Sequence, residues 1–599
     1  MTVSDYILDY LASLKVKHVF LITGGAIAFV VDAFHKRKDI SYICMAHEQA
    51  CAMAADAYAR MGPGISATMV TSGPGATNLI TGICCSWFDS IPTIHITGQV
   101  NTFEQKGKLP VRQIGFQETD IVSVVKPITK LAEQLQRPED IRYLLEKAVY
   151  YATTGRPGPV LLDIPQNFQR AEIDPTKLKS FIIPKKSDIK DSDDRLRKKV
   201  EQSIKLLKAA KRPILIVGFG VRIAHAEREI KQLVELYKIP VVTTWSAFDL
   251  FTKSEPLLVG EIGVYGNRGA NFAVQNADVV LSIGARLDTR TTGGKPDTFA
   301  RKAKKIVVDI DKAELQKRRG LTPDISVQTD AKEFITAMIS QSQKNQRFDM
   351  QQEWRDRCQV WKIKYPAVKK EYFDEKNQVN AYTFIKTLSD ELSADDIIIP
   401  DDGGHLTWTM QAFELKKGQR LFSAYGNSPM GYAFPAAIGA SIAQGKKRVI
   451  CIDGDGSIQM NIQEMQTIFH HKLPIKIFIV NNKGYGIIKQ FQELYLDARF
   501  EASGKGYSAP DFIKIAKAYG IHAVQINNHK ELRKKIREVL AYAGPVVCDV
   551  QVKENQKIIP KLEFGKPIED LSPTLPREEF YDNMIVPVWE NRKMKGEGV

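Results

Sequence analysis

The fold class this sequence predicts is α/β, built as three successive doubly wound parallel-sheet domains. Three observations predict it. Short unbroken apolar runs recur between helical stretches, and strands covered on both faces read as continuous apolar runs rather than as alternation. Two polar stretches, Pro175–Asp194 and Gln341–Gln352, divide these runs into three blocks. The length, 599 residues, is several domains' worth at roughly 100–200 residues per domain.

The first block spans residues 1–178. It opens on an amphipathic helix and has strand-like runs at Val19–Ile22, Ser41–Met45, Ala67–Thr71, Ile94–Thr97 and Val160–Ile164. The second, residues 195–342, has Pro213–Gly218, Pro240–Thr244, Asp278–Ile283 and Lys305–Asp309. The third, residues 365–553, has Ile397–Pro400, Val449–Ile452, Ile475–Val480 and Val546–Val550. A tail, residues 554–599, is rich in proline and charge and is expected to wrap over the surface.

Composition narrows the function. With 44% hydrophobic and 26% charged residues, the chain reads as a soluble globular protein. No apolar run approaches the ~20 residues of a membrane span, so no membrane partner is expected. The first residues lack a basic segment followed by an apolar block, which predicts no secretory signal and a cytoplasmic setting. The seven cysteines form no CxxC pair, so buried thiols in a reducing compartment are expected. The net charge is +15, but its densest stretch, Lys185–Arg212, is interrupted by Asp188, Asp191, Asp193, Asp194 and Glu201. That pattern argues against a nucleic-acid partner; a positive field suits a small anionic substrate.

The chemistry concentrates in the third block. The strand Arg448–Ile452 runs into Asp453-Gly-Asp-Gly-Ser457; Asn461-Ile-Gln-Glu464 reads as a helix N-cap with its reciprocal acid; and Pro474 precedes Ile475–Val480, which ends in Asn481-Asn482. This is a βαβ unit with both strand ends on one sheet edge, where ligands bind in open α/β sheets. Gly454 and Gly456 permit close approach of a diphosphate. Asp455 and Asn482 bring hard oxygens, and with a backbone carbonyl, expected from Gly484, they suit Mg²⁺. A structural turn pair is the plain alternative.

This arrangement resembles the signature of thiamine diphosphate-dependent enzymes, and the chain resembles most closely the acetolactate synthase (acetohydroxyacid synthase) branch. The stretches that carry the resemblance are His47-Glu-Gln, Ser72-Gly-Pro-Gly-Ala-Thr-Asn78, Gly115-Phe-Gln-Glu-Thr119, Gly284-Ala-Arg-Leu-Asp-Thr-Arg290 and Gly454-Asp-Gly-Ser-Ile-Gln-Met-Asn461. The resemblance implies a pyrimidine-binding, a central FAD- or nucleotide-binding-like and a diphosphate-binding domain. It implies that Glu48 activates the cofactor through its aminopyrimidine, with Gly25, Ala26, Pro74 and Asn78 on the same side. Gly403, Gly404 and His405 would form the first diphosphate loop; Ser428 and Met430 would hold and bend the cofactor. Gly454, Asp455, Gly456, Ser457, Asn482, Gly484, Tyr485 and Gly486 would form the clamp. Phe116 and Gln117 would face the substrate. In the central block, Gly218, Gly220, Gly263, Gly266, Arg286, Arg290 and Asp309 fall where FAD contacts occur, although family members exist that keep this fold without flavin, so FAD stays open.

The implied activity is carboligation. The donor would be pyruvate or a similar 2-oxo acid, and the acceptor pyruvate or a keto sugar nucleotide. Decarboxylation, or acyl transfer to phosphate or coenzyme A, is the alternative on the same cofactor. No adjacent histidine pair stands in the first block; His470-His471 follows the clamp. Phe491 stands where the branch usually has Trp, leaving more room. The family's shared sites imply a homodimer or homotetramer, with Glu48 of one copy serving the clamp of another.

Overall fold

The computed structural model describes residues 1–184, 193–317, 319–343 and 352–589. The first six strands are β1 (His18–Leu21), β2 (Ser41–Cys44), β3 (Ser66–Val70), β4 (Thr93–Gln99), β5 (Leu131–Gln134) and β6 (Val160–Pro165). They form a sheet of order β2-β1-β3-β4-β6-β5. The next six are β7 (Pro213–Val217), β8 (Val241–Thr243), β9 (Leu258–Glu261), β10 (Val279–Ile283), β11 (Lys304–Asp309) and β12 (Ile325–Gln328), ordered β12-β11-β10-β7-β8-β9. The last six are β13 (Ile397–Pro400), β14 (Arg420–Leu421), β15 (Val449–Gly454), β16 (Ile475–Asn481), β17 (His522–Ile526) and β18 (Val546–Gln551), ordered β14-β13-β15-β16-β18-β17. Every pairing between these strands is parallel.

The first and third sheets share one strand order, and the middle sheet has the order of dinucleotide-binding folds. The apolar runs predicted the inner strands. The strands that the runs did not announce, β5, β9, β12, β14 and β17, all lie at sheet edges. An edge strand is half solvated and loses the unbroken apolar signature: β5 is half-buried throughout, and β17 alternates in burial.

Four expectations need correction. The stretch Gln341–Gln352 is not simply a linker, because one helix runs Ala331–Gln343 and another Gln352–Lys364; residues 344–351 lie outside the described residues. Trp354, Cys358 and Trp361 of the second helix are buried in the core of the middle sheet. The polar stretch before the middle sheet ends in a helix, Asp193–Ala209, and residues 185–192 lie outside the described residues. The tail does more than cover the surface: Ile568, Leu571 and Phe580 are buried, and Glu569, fully buried, pairs with Arg301. Of the cysteines expected to be buried, Cys44 is exposed and Cys84 half-buried.

The first and third sheets meet through the helices Glu48–Met61 and Ala433–Ala443. Both are rich in alanine, so their backbones approach closely; a Cβ on Gly439 would lie 1.9 Å from Ala54 O. Inside this contact Arg60 pairs with Asp56 at 2.7 Å and Asp89 at 2.8 Å, its side chain 2% exposed. Asp56 also accepts from Ser86 Oγ (2.9 Å) and Tyr432 Oη (2.5 Å), and Asp89 from the backbone N–H groups of Tyr425 and Gly426. The attraction of these carboxylates holds the Arg60 guanidinium well above its usual range. Removing one partner of a buried pair strands the other charge at a cost of about 3–5 kcal/mol. Arg60→Met is therefore expected to lower the urea midpoint of unfolding by a corresponding amount; an unchanged midpoint would show that the network does not hold the two sheets together.

Candidate active site

Strands β15 and β16 lie side by side, and Gly454 pairs in register with Val480, so Asp455 and Asn482 leave the same sheet edge. Asp455 Oδ2 accepts from Gly484 N (3.0 Å) and Tyr507 Oη (2.7 Å). One end of the Asn482 amide lies 3.0 Å from Gly484 O and 3.2 Å from Asp455 Oδ1. In the protein alone that end satisfies both acceptors as an NH2 group; around a cation it is the oxygen that turns inward. Mg²⁺ takes octahedral oxygens at about 2.0–2.1 Å, which puts neighbouring ligands about 2.9 Å apart. The three residues therefore fit such an ion.

The pocket above them is lined by Gly454, Asp455, Gly456 and Ser457 from one loop and Asn482, Gly484, Tyr485 and Gly486 from the next. Asp402, Gly403, Gly404, His405 and Met430 line it from a third side, with Trp408, Ile487 and Ile488. Small residues are required here: a Cβ on Gly456 would lie 2.4 Å from the Tyr485 ring, and one on Gly454 2.7 Å from the His405 ring. Ser457 Oγ is used within the turn, donating to Asp453 Oδ1 and accepting from Gly454 N. Gly486 opens the helix Gly486–Tyr495, whose free N–H groups favour an anion. Ser428 does not line this pocket; it faces the larger cavity described below, and its hydroxyl donates to Asp402 Oδ1 at 2.6 Å.

Burial sets the charges. It pushes Asp455 up to about 6 and Asp453 to about 7. Asp401 stands well above the usual carboxylate range through burial and repulsion from Asp453. Burial lowers His405 to about 3, so the ring is neutral, and its buried Nε2 has no partner among the described residues. Such an imidazole has a hydrogen-bonding position to offer a ligand. Asp401 accepts from the N–H groups of Gly431 (2.7 Å) and Ala433 (2.7 Å) and so holds the turn that carries Met430. Asp401, Asp453 and Tyr507 escaped the sequence reasoning. The two acids could have been found as carboxylates at apolar strand ends; Tyr507 carries no local signal.

The predicted capping box at Asn461 is not formed. The turn there is 3-10, and the helix starts later, at Met465. Both side chains are taken by tertiary partners: Asn461 Nδ2 donates to Gly431 O (2.7 Å), and Glu464 Oε1 accepts from Ala46 N (3.0 Å). Glu464 thus ties the clamp loop to the segment leading into Glu48.

At the edge of the first sheet, Glu48 begins its helix and accepts from Asn78 Nδ2 at 2.9 Å. Thr71 Oγ1 accepts from Ala26 N (3.3 Å), and Gly25 O accepts from Gln166 Nε2 (2.9 Å). Pro74 starts the short helix Pro74–Asn78, and a Cβ on the preceding Gly73 would lie 3.0 Å from Gln117. Phe116 is 85% exposed. None of these residues lines the clamp pocket of the same chain, so one chain presents two separated half-sites.

A cavity lies among the three sheets. Gly220, Arg286, Arg290 and Asp309 line it, together with Arg156, Trp245 and Glu314, which the sequence did not single out. Burial pushes Asp309 up to about 6. Gly218, Gly263 and Gly266 stand outside it and serve backbone crossings; a Cβ on them would lie 2.2 Å from Gly284 O, 2.3 Å from Arg290 O and 2.6 Å from Glu261 O respectively. Phe491 does not face open space. Its ring lies 5.0 Å from that of Tyr495 and 5.7 Å from that of Phe564 in the tail.

Glu464 yields a pH test. Burial raises its pKa from 4.5 to about 7 in the folded chain. Its contribution to stability is therefore complete below the unfolded value and is lost as pH rises through the folded one. Glu464→Gln abolishes that slope, so the stability of the variant relative to the parent should rise between about pH 5 and about pH 8. A pH-independent difference in unfolding midpoint would contradict this.

Comparisons with known proteins agree with this geometry. Residues 1–124, 200–338 and 401–550 match, respectively, the N-terminal TPP binding domain, the central domain and the C-terminal TPP binding domain of thiamine pyrophosphate enzymes. The acetolactate synthase large subunit of Porphyra purpurea is 35% identical over 570 residues, covering 94% of this chain and 93% of that protein. The acetolactate synthase large subunit of Corynebacterium glutamicum is 35% identical over 592 residues, covering 97% and 92%. The probable acetolactate synthase large subunit of Methanocaldococcus jannaschii is 35% identical over 565 residues, covering 92% and 91%. With three matching domains in order and relatives aligned over nearly its whole length, the chain belongs to the thiamine pyrophosphate enzyme family, among proteins similar to acetolactate synthase large subunits.

Proposed function

We propose that the chain is a thiamine diphosphate- and Mg²⁺-dependent carboligase. It decarboxylates pyruvate or a similar 2-oxo acid and transfers the two-carbon unit to a second carbonyl compound. The observation that carries this reading is the convergence of oxygens from Asp455, Asn482 and Gly484 beside the glycine floor of the pocket. When bound, the cofactor supplies a carbon acid whose conjugate base adds to 2-oxo acids and stabilises the charge left as CO₂ departs.

The chain's own residues have four tasks. Asp455, Asn482 and Gly484 O hold Mg²⁺. Gly403, Gly404, His405, Gly454, Gly456, Ser457, Tyr485 and Gly486 receive the diphosphate, with N–H groups and a helix start favouring its charge. The backbones of Ser428 and Met430 hold the aminopyrimidine, with the Met430 side chain beneath the cofactor. Glu48, aligned by Asn78, places its carboxyl at a ring nitrogen to move the activating proton. Because Glu48, Gly25, Ala26 and Pro74 do not reach the clamp of their own chain, a second copy supplies them, in a homodimer or homotetramer; Phe116 and Gln117 come with them to the substrate side. In the large cavity FAD would serve a structural part, met by Gly220, Arg286, Arg290 and Asp309.

Simple decarboxylation is disfavoured by the position of the histidine pair. His470 and His471 pack edge to face at 4.8 Å at the far end of the short helix that leads back to the start of β16, on the opposite sheet edge from the clamp. They cannot protonate anything bound there. The acceptor would be pyruvate or a keto sugar nucleotide.

Incubated with thiamine diphosphate, Mg²⁺ and pyruvate, the purified chain should release CO₂ and form a branched hydroxy-keto product identified by mass; aldehyde or acyl phosphate as the main product would replace carboligation by the alternative. Glu48→Gln should bind the cofactor within a few-fold of the parent and slow exchange of its reactive C–H proton by about 10²-fold or more, followed by NMR. Exchange at the parental rate would remove Glu48 from this role.

A further inference from the structure

Asp402 is a carboxylate at the cofactor pocket to which the activation chemistry gives no task. It lies two residues beyond the end of β13 and lines the pocket, and the other acid there, Asp455, faces the cation ligands. Its Oδ1 accepts from Ser428 Oγ at 2.6 Å, with Ser428 in the left-handed region at φ 51°. Ser428 and Arg290 line the large cavity, so the Asp402–Ser428 bond stands on the wall between the two spaces. Arg290 is held by ring faces, with its Cζ 4.5 Å from the Trp245 centroid and 5.0 Å from that of Tyr265. Burial raises the Asp402 carboxyl above its usual range, and the nearby charge of Arg290 works against that rise. Yet among the described residues the two form no ion pair, and neither has another oppositely charged partner. A hydrogen-bond acceptor and a five-donor fork thus stand near each other without closing on each other.

We propose that Asp402 selects the acceptor, favouring a neutral carbonyl compound that carries a hydroxyl group over a 2-oxo acid. The inference rests on the carboligase reading. An ionised carboxylate only accepts hydrogen bonds, and the Ser428 hydroxyl and the Gly403 backbone do not fill its lone pairs. A 2-oxo acid brings no donor and a like charge. A hydroxylated carbonyl compound donates to Asp402 and offers its oxygens to Arg290. A site built to meet a hydroxyl discriminates against an analogue lacking it, because its own polar group is left unpaired.

Three acceptors of nearly equal size separate the contributions: hydroxyacetone, butanone and pyruvate share a methyl ketone and differ in carrying a hydroxymethyl, an ethyl or a carboxylate group. With cofactor, Mg²⁺ and pyruvate as donor, the parent should show a kcat/KM for hydroxyacetone at least about tenfold above those for butanone and for pyruvate as acceptor. Asp402→Val should bring these ratios to within about threefold. Asp402→Asn, which keeps an acceptor oxygen for Ser428 and the hydroxyl, should retain the preference over butanone and lose that over pyruvate. Saturation-transfer NMR on cofactor-loaded protein without donor should detect hydroxyacetone more strongly than butanone in the parent and equally in Asp402→Val. Equal handling of hydroxyacetone and butanone by the parent, or ratios unmoved in both variants, would overturn the role of Asp402. Failure of the parent to release CO₂ would instead overturn the carboligase reading, while the NMR comparison continues to test Asp402 by itself.

Discussion

The buried ion pairs of Arg60 hold the first and third sheets in one relation, and the site depends on that relation. Arg60 lies in the helix that Glu48 begins, and its partner Asp89 receives the N–H groups of Tyr425 and Gly426. Ser428 and Met430 follow two and four residues later. One desolvated guanidinium therefore fixes both the helix bearing the proposed activating acid and the turn bearing the proposed cofactor wedge. Breaking such a network is expensive because the stranded carboxylates have no water to turn to. The small residues of the helix contact keep the backbones close enough for the network to close.

Glu464 works at the same boundary from the clamp side. Its carboxyl is tied to the backbone before Glu48, while its own turn follows the diphosphate loop. In the proposed assembly each chain places its clamp in one site and its Glu48 in the other, and Glu464 ties the two segments together. The raised pKa values of Asp453, Asp455 and Glu464 have a common origin in burial. At Asp455 the convergence of neighbouring oxygens makes a cation the natural remedy for crowded acceptors.

The tail and the middle sheet shape the approach to this centre. Leu562 N donates to Val264 O (2.7 Å), and Val264 N donates to Arg290 O (2.9 Å), so the tail is laced to the segment that carries Arg290. Two residues further on, Phe564 stacks on Tyr495 at 4.6 Å and meets Phe491. The room left by a phenylalanine in place of a tryptophan is thus partly reoccupied by a ring from a distant part of the chain.

The sequence by itself determined the three-sheet architecture, the inner strands and the composition of the clamp. These are local properties: an apolar run between polar turns must be a buried strand, and glycines beside an acid at a strand end admit a phosphate and a metal. Five of the six edge strands were not legible; in β5 and β17 the reason is that half-solvated residues lose the apolar pattern. The role of Asn461 and Glu464 was misread for the opposite reason: a local capping motif lost to stronger tertiary partners, Gly431 O and Ala46 N, that no window of sequence reveals. Tyr507 on Asp455, Asp401 under the Met430 turn, the aromatic grip on Arg290 and the Ser428 hydroxyl on Asp402 likewise exist only once separate loops are brought together. Residue types at strand ends declare which chemistry is available, whereas the pairing, burial and orientation that decide how it is used depend on contacts between residues far apart in the chain.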